Sequence, residues 1–356
     1  MGEVTLIGVD TPKPVFTLHG VDGSGGCVLR RELRRGQVEG FFAGLAPLEV
    51  ALEACGGSHH WGRRLSALGQ RVRLIPPQYV KPYVKRGQEN DRRDAAAIAE
   101  AAQRPEMSVV AVKSAEAQAG LMLLKVRELL VKQRTQAVNA LRGPAAGFGL
   151  VAAQGTGKVA ALLVAVASDP GVPDAAKALL ALLARQIEHL DEQVKALDDQ
   201  LLALHKGNDL SRLLAGVPGI GPLTAVGPAL TVDPAQFRSG RHSAAYLGLT
   251  PQQNSTGGKT RLGGISKPGN TRLRTLLVVG ASAVIRHAKP GRRQAESPTG
   301  AWLLGLLARK PKKLAAVALA NKMARIVWAS RLRRAGAMMS RGEAYRHRPA
   351  PVPVPA

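Results

Sequence analysis

The chain has 356 residues, 45% of them hydrophobic, and sets 50 lysines and arginines against 25 acids for a net charge of +25. That length holds two or three domains with real cores, and the hydrophobic share excludes wholesale disorder. Self-repulsion on this scale points to a polyanionic partner, while an aromatic content of 3% argues against base stacking on a sheet as the main mode of contact.

Three short strands open the chain, at residues 5–10, 15–19 and 27–30, joined by turns that contain Gly and Asp. A helix follows at 37–45 and an apolar strand at 48–54. Ser58 caps a helix over 59–68 that Gly69 stops. A strand at 72–75 closes on Pro76-Pro77, a helix runs over 91–103, and a last strand covers 109–112. Three strands in a row and then β-α-β-α predict a mixed sheet with helices packed on it. Cys27 and Cys55 have neither metal-ligand spacing nor a disulfide framework and read as free thiols.

Residues 114–142 form a long amphipathic helix that ends at Arg142-Gly143-Pro144, and 147–173 are less regular. Leu180, Leu183, Ile187, Leu190, Val194, Leu197, Leu201 and Leu204 then recur at alternating steps of three and four residues, the a and d positions of about four heptads. Glu188, Asp191, Glu192, Asp198 and Asp199 make the outer face of that helix acidic, which suits pairing within the chain or between subunits. A second globular domain, mostly helical and very basic, runs from 209 to about 330. Beyond 331 the composition turns to Arg, Gly and Pro, as in a disordered tail.

Four acids stand out on this map. Asp10 ends the first strand, and Glu53 ends the strand Val50-Ala51-Leu52, so parallel pairing brings them side by side. Asp91 and Asp94, three apart at a helix start, share one face. Gathered like charges are costly without a cation, and hard Mg²⁺ favours carboxylate oxygens on rigid elements; two such ions per site serve phosphoryl transfer. The residues alone leave a second reading open, in which Asp91 and Asp94 are first-turn acids favoured by the helix dipole and Asp10 begins a turn.

Ile7-Gly8-Val9-Asp10, the run 51–57 around Glu53, Val80-Lys81-Pro82-Tyr83-Val84 and Asn90-Asp91-Arg92-Arg93-Asp94-Ala95 resemble the DEDD transposases of insertion sequences, recombinases guided by a bridge RNA. The resemblance runs in the family's order to about Ser330, with Pro12-Lys13-Pro14 as a departure. It implies an RNase H-like (RuvC-like) catalytic domain at 1–112 whose metal ligands are Asp10, Glu53, Asp91 and Asp94. A helical coiled-coil arm at 113–208, a mostly α transposase domain at 209–330 and a basic tail at 331–356 complete the expected order.

In the last of those domains, Gly216-Val217-Pro218-Gly219-Ile220-Gly221 reads as a helix-hairpin-helix turn whose Gly219 and Gly221 let backbone N–H groups approach a phosphate; a tight interhelical turn without ligand is the alternative. The stretch 247–270 is dense in Gly, Ser, Lys and Arg, as in a loop that cradles a phosphate backbone. Lys259, Arg261, Lys267, Arg272 and Arg274 are its nucleic-acid contacts. By pattern Ser266 is a cap or a phosphate contact. The resemblance implies more, that the serine of Ser266-Lys267-Pro268-Gly269-Asn270 attacks DNA and forms a phosphoserine link, in a site shared with the acidic domain of another subunit. Gly155-Thr156-Gly157-Lys158 is not a phosphate loop, because Ala152 and Val159 occupy positions that require Gly and Ser or Thr. The basic run Arg309-Lys310-Pro311-Lys312-Lys313, with Lys322, Arg325 and Arg331, suits phosphate neutralisation.

The expected protein is thus a Mg²⁺-dependent DNA recombinase with a covalent serine intermediate. Its partners are double-stranded DNA, a structured guide RNA and further copies of itself in a dimer or tetramer, in the bacterial cytoplasm near the nucleoid and with no membrane. A metal-dependent nuclease or junction resolvase that uses water, and a non-catalytic nucleic-acid-binding protein, are the alternatives.

Overall fold

The computed structural model describes residues 3–11, 14–84, 90–289 and 297–339. Pro12, Lys13 and the tail from 340 onward, on which the hairpin departure and most of the disordered segment were expected, lie outside the described residues. The chain forms two compact units, Met1–Gln118 and Ala119–Ala356.

The first unit is built on a five-stranded sheet in the order β3-β2-β1-β4-β5. Its strands are β1 (Leu6–Asp10), β2 (Val15–Val21), β3 (Cys27–Arg34), β4 (Glu49–Glu53) and β5 (Arg71–Ile75). β1, β2 and β3 pair antiparallel as a meander, whereas β4 lies parallel to β1 and β5 parallel to β4. Alternation along the strands loads both faces. Ile7, Val9, Phe16, Leu18, Val50 and Leu52 point to one side, where α1 (Val38–Ala43) and α2 (Ser58–Ala67) supply Phe42, Trp61 and Leu65. Leu6, Val21 and Ala51 point to the other, against the alanine-rich α4 (Asp91–Ala102), with the short α3 (Pro77–Val80) beside it.

Two expectations about this unit fail locally. Ser58 is the first residue of α2 rather than its cap; Gly57 holds the cap position, and the Ser58 hydroxyl donates to the Cys55 carbonyl at 3.0 Å. The strand expected at 109–112 is a single bridge, Val110 N–H to Leu74 O at 2.8 Å. The apolar run crosses the sheet edge once, and Val110 and Val112 instead cover the α1–α2 core.

The second unit is mostly helical: α5 (Ala115–Gly147), α6 (Val159–Ser168), α7 (Asp174–Gly207), α8 (Asp209–Ala215), α9 (Pro222–Thr231), α10 (Gly240–Tyr246), α11 (Thr271–His287), α12 (Pro298–Leu307) and α13 (Lys312–Met339). α5 does not stop at Gly143-Pro144 but carries Pro144 inside its last turns. Leu141 and Ala145 on either side are buried, and that burial offsets the hydrogen bond proline removes. Five of the eight heptad residues of α7, Leu180, Ile187, Leu190, Val194 and Leu201, are buried within the chain. Its Asp191 and Asp198 pair with Arg134 and Arg127 of α5. Because one partner number rises as the other falls, α5 and α7 run antiparallel. A two-stranded hairpin, β6 (Pro251–Gln253) with β7 (Leu262–Ile265), stands within the stretch expected to be loop.

Candidate active site

Asp10 is the last residue of β1 and Glu53 the last of β4. The parallel register pairs Val9 with Leu52, so the two acids follow at the same level on adjacent strands. Alternation places both on the face that carries Leu6 and Ala51, the face covered by α4. Gly8, two residues before Asp10 on that face, sets how closely the helix sits. A Cβ there would stand 2.4 Å from the Ala95 carbonyl oxygen and 2.6 Å from the Ala99 nitrogen. Only a residue without a side chain lets α4 lie directly on β1.

The helix starts where Asn90 caps it, its Oδ1 accepting the Arg93 N–H at 3.0 Å. Its first turn then delivers two acids over the strand end. One carboxylate oxygen each from Asp10, Asp91 and Asp94 lies within 4.8 Å of the others. Glu53 stands outside that triad on the neighbouring strand. Burial and then the charge of Asp94 raise its pKa. Asp10 carries the larger shift: burial, then Asp94 and Asp91, push it up to about 6.

This donor set fits a divalent cation. Three hard oxygen donors converge from two rigid elements, and their mutual repulsion is what a bound cation would relieve. Asp10, Asp91 and Asp94 would hold it, with Glu53 beside them.

A trough of about 670 Å³ opens on the same face of the sheet, lined by Thr17, His19, Arg30, Asn90, Arg92 and Arg93 among others. Thr17 is the register partner of Asp10, and the two arginines lie between Asp91 and Asp94 in sequence, so the trough adjoins the elements that carry the acids. Arg92 is held by Glu32 at 2.9 Å. Sequence reasoning passed over these arginines because single basic residues scattered through a strand and a helix make no motif until the sheet register aligns them.

Ser266 follows β7 directly in the second unit. Its N–H donates to Thr250 O at 2.9 Å, and that of Lys267 donates to Gly248 O at 3.2 Å, so the loop is pinned to the segment ahead of β6. Lys267 has φ 61°, the one non-glycine residue with positive φ among the described residues. At Gly269, φ 71°, a Cβ would meet the Tyr246 carbonyl oxygen at 1.8 Å, so this position too admits no side chain. Asn270 then caps α11, accepting the Leu273 N–H at 3.1 Å.

The clamp beneath the loop is Arg274, 8% exposed. Its guanidinium donates to Leu247 O at 2.9 Å, Pro268 O at 2.7 Å and the Thr271 hydroxyl at 2.9 Å. Arg274 therefore supports the loop from inside, whereas Lys259, Arg261, Ser266 and Lys267 are exposed. Arg272 is half-buried and donates to Glu128 at 2.6 Å. Gly219 has φ 88° in the α8–α9 turn, but the space a Cβ would need there is taken by Gly280 O of α11 at 2.9 Å. Close helix packing accounts for that glycine. Gly221 is the N-cap of α9 with open space around it.

No helix among the described residues is long and apolar enough to cross a membrane.

The acidic cluster and the serine loop fall within two separate family matches. Residues 7–147 match the DEDD transposase model of the IS110 type, and residues 211–296 match the model of the transposase IS116/IS110/IS902 family. Among relatives, the y4pF/y4sB protein of Sinorhizobium fredii, which carries the transposase name, is 48% identical over 97% of this chain and 86% of its own length. The transposase for insertion sequence element IS1111A of Coxiella burnetii is 40% identical over 97% of this chain and 92% of its own. That for element IS1328 of Yersinia enterocolitica is 37% identical over 92% and 97% respectively.

Proposed function

The chain belongs to the DEDD transposases of the IS110 type, and from that premise we propose that it breaks and rejoins DNA strands through a covalent link to Ser266. The observation that carries the reading is the convergence of Asp10, Asp91 and Asp94 at the end of β1. The strand order β3-β2-β1-β4-β5, with acids on the adjacent central strands β1 and β4, supports reading the first unit as an RNase H-like (RuvC-like) domain.

When bound, Mg²⁺ at these carboxylates supplies positive charge to phosphoryl oxygens and lowers the pKa of an attacking oxygen. The chain's own groups do the rest. Arg30 and Arg92 seat a phosphate backbone along the trough that Thr17 lines. The Ser266 hydroxyl, presented on a loop fixed by Arg274 and Asn270, attacks phosphorus and loses its proton to solvent. The phosphoserine ester forms as the bond to the 3′ oxygen breaks, and that oxygen takes up a proton from solvent and leaves as a 3′-hydroxyl. A second 3′-hydroxyl then displaces the serine oxygen, so one phosphodiester is exchanged for another without ATP.

The division into catalytic domain (1–112), coiled-coil arm (113–208), transposase domain (209–330) and tail belongs to the same proposal. So do a dimer or tetramer in which the serine of one copy works with the acids of another, a structured guide RNA that specifies the DNA, and a place near the nucleoid. The net charge of +25 supports polyanion partners in general.

The test uses purified full-length protein with RNA co-purified from cells carrying the native flanking DNA, incubated with labelled element-end DNA and Mg²⁺. A protein–DNA adduct on a denaturing gel that disappears in Ser266→Ala and in Asp10→Asn supports the proposal. Nicking that survives Ser266→Ala would make the protein a water-using nuclease. DNA binding with no strand breakage in any sample would leave a non-catalytic binder.

A further inference from the structure

We infer that the second unit carries a pocket for an unstacked DNA base beside the serine loop, with Trp302 as its stacking surface. The inference rests on the Ser266 reading for the identity of the strand it takes. A cavity of about 900 Å³ lies where α12 and α13 meet the base of the β6–β7 hairpin. Its volume falls within the roughly 300–1,000 Å³ typical of small-ligand sites.

Its apolar lining includes Leu249, Pro251 and Ile265 at the hairpin base and Leu314, Val317 and Ile326 of α13. The first three bracket the backbone that fixes the nucleophile: Ile265 immediately precedes Ser266, and Leu249 and Pro251 flank Thr250, whose carbonyl accepts the Ser266 N–H. The backbone segments that hold Ser266 therefore border this cavity. The pocket wall carries Lys322 and Arg325 and, among the described residues, no carboxylate. Apolar, aromatic and cationic groups in one lining match the two ends of a nucleotide, a flat base and an anionic phosphate.

Trp302 is unlike the chain's other two tryptophans. Trp61 is buried at 4% exposure and Trp328 commits its indole N–H to Pro234 O, whereas Trp302 is 38% exposed. The Lys322 ammonium lies 4.6 Å from the Trp302 ring centroid and fixes the ring by a cation–π contact.

The experiment follows tryptophan emission of the full-length protein as an eight-nucleotide single-stranded DNA is added, beside the same strand made abasic throughout and an RNA of the same sequence. The DNA is expected to quench emission, the abasic strand to bind without quenching, and the RNA to bind more weakly than the DNA. Trp302→Phe should remove the quench while keeping a ring in place, and Trp302→Ala should weaken DNA binding by about 5- to 150-fold. Equal quenching by the abasic strand, a quench that persists in Trp302→Phe, or tighter binding of RNA overturns the inference. A quench that belongs to Trp302 in a protein that forms no Ser266 adduct would overturn the proposed chemistry and leave the pocket. An adduct formed with no quench would overturn the pocket and leave the chemistry.

Discussion

The backbone of Gly8 runs so close under Ala95 that a Cβ on Gly8 would stand 2.4 Å from the Ala95 carbonyl oxygen. That contact sets the height of α4 over β1 and so the spacing of Asp91 and Asp94 from Asp10. Gly8→Ala should force the helix off the strand, at about 1–3 kcal/mol of stability, and should weaken Mg²⁺-dependent stabilisation beyond that loss. Thermal melting with and without Mg²⁺ measures both. Gly40, on α1 with nothing within 4 Å of its Cβ position, is the control, and Gly40→Ala should leave the Mg²⁺ response intact. An unchanged Mg²⁺ response in Gly8→Ala would remove this contact from the account of the site.

Asp10 predicts how stability responds to pH and metal together. Burial and the neighbouring Asp94 and Asp91 raise its pKa from 3.8 to about 6. The folded chain therefore keeps a proton that the unfolded chain has released, and this contribution to stability is complete below pH 3.8 and lost as pH rises through 6. Above that window the ionised cluster is repulsive unless a cation joins it. Asp10→Asn should thus be more stable than the parent at pH 7.5 in chelator, by about 1 kcal/mol once solvent screening is allowed for. Added Mg²⁺ should raise the melting temperature of the parent and leave the variant unmoved. A variant less stable than the parent in chelator would show that repulsion does not dominate there.

The elements that position this cluster were legible in the sequence because their signals are short-range. The apolar runs ending in Asp10 and Glu53, and the helix start that carries two acids three apart, each specify their element within a few residues. Strand pairing then needed one assumption, that β1 and β4 run parallel. What stayed hidden depends on register or on close approach. Gly8 reads like any strand glycine until α4 lies on it, and Arg30 and Arg92 meet only because β3 pairs with β2 and Arg92 reaches Glu32. The β6–β7 hairpin was missed because Pro251-Gln252-Gln253 and Leu262-Gly263-Gly264-Ile265 carry little strand propensity and bury almost nothing. Arg274 was taken for a DNA contact since an arginine in a basic run gives no sign that its guanidinium is turned inward.

His59 should make the first unit labile to acid. Burial, then the Lys113 ammonium and the Arg63 guanidinium, lower its pKa from 6.5 to about 4, and its Nε2 lies 2.8 Å from Lys113 Nζ. The unfolded chain takes up a proton that the folded chain refuses, so this contribution is complete above pH 6.5 and is lost as pH falls through 4. His59→Gln should flatten the decline in melting temperature between pH 6.5 and 4 while leaving the Asp10-linked window between 3.8 and 6 to act in the opposite sense. An unchanged acid limb in His59→Gln would assign the lability to other groups.

Lys267 holds a left-handed backbone at φ 61° on the loop that presents Ser266. For a residue with a side chain that conformation costs about 1–2 kcal/mol, part of which glycine regains only to lose in unfolded-chain entropy. Lys267→Gly should therefore raise stability by up to about 1 kcal/mol, and Lys267→Ala should not. Both remove an exposed charge and should weaken DNA binding alike. Equal melting temperatures for the two variants would mean that the strain is absent in solution.

Arg274 is the residue whose loss should unfasten that loop without touching its surface. Its guanidinium satisfies Leu247 O and Pro268 O at once, and Leu247 immediately precedes Gly248, whose carbonyl takes the Lys267 N–H. A lysine at this position keeps the charge but presents a single ammonium in place of a planar fork, so it reaches one carbonyl and leaves the other buried and unpaired. An orphaned buried acceptor costs about 1–3 kcal/mol, and a local opening free energy lowered by 1.4 kcal/mol speeds amide exchange roughly tenfold. Arg274→Lys should therefore accelerate hydrogen exchange at the Ser266 and Lys267 amides by about tenfold or more, while amides in α7 keep their protection. Ser266 would then be presented by a mobile loop, and strand attachment should fall even though every surface lysine and arginine remains. If the two amides exchange at the parental rate in Arg274→Lys, the loop is held by its own hydrogen bonds to Thr250 and Gly248 and the guanidinium is only packing.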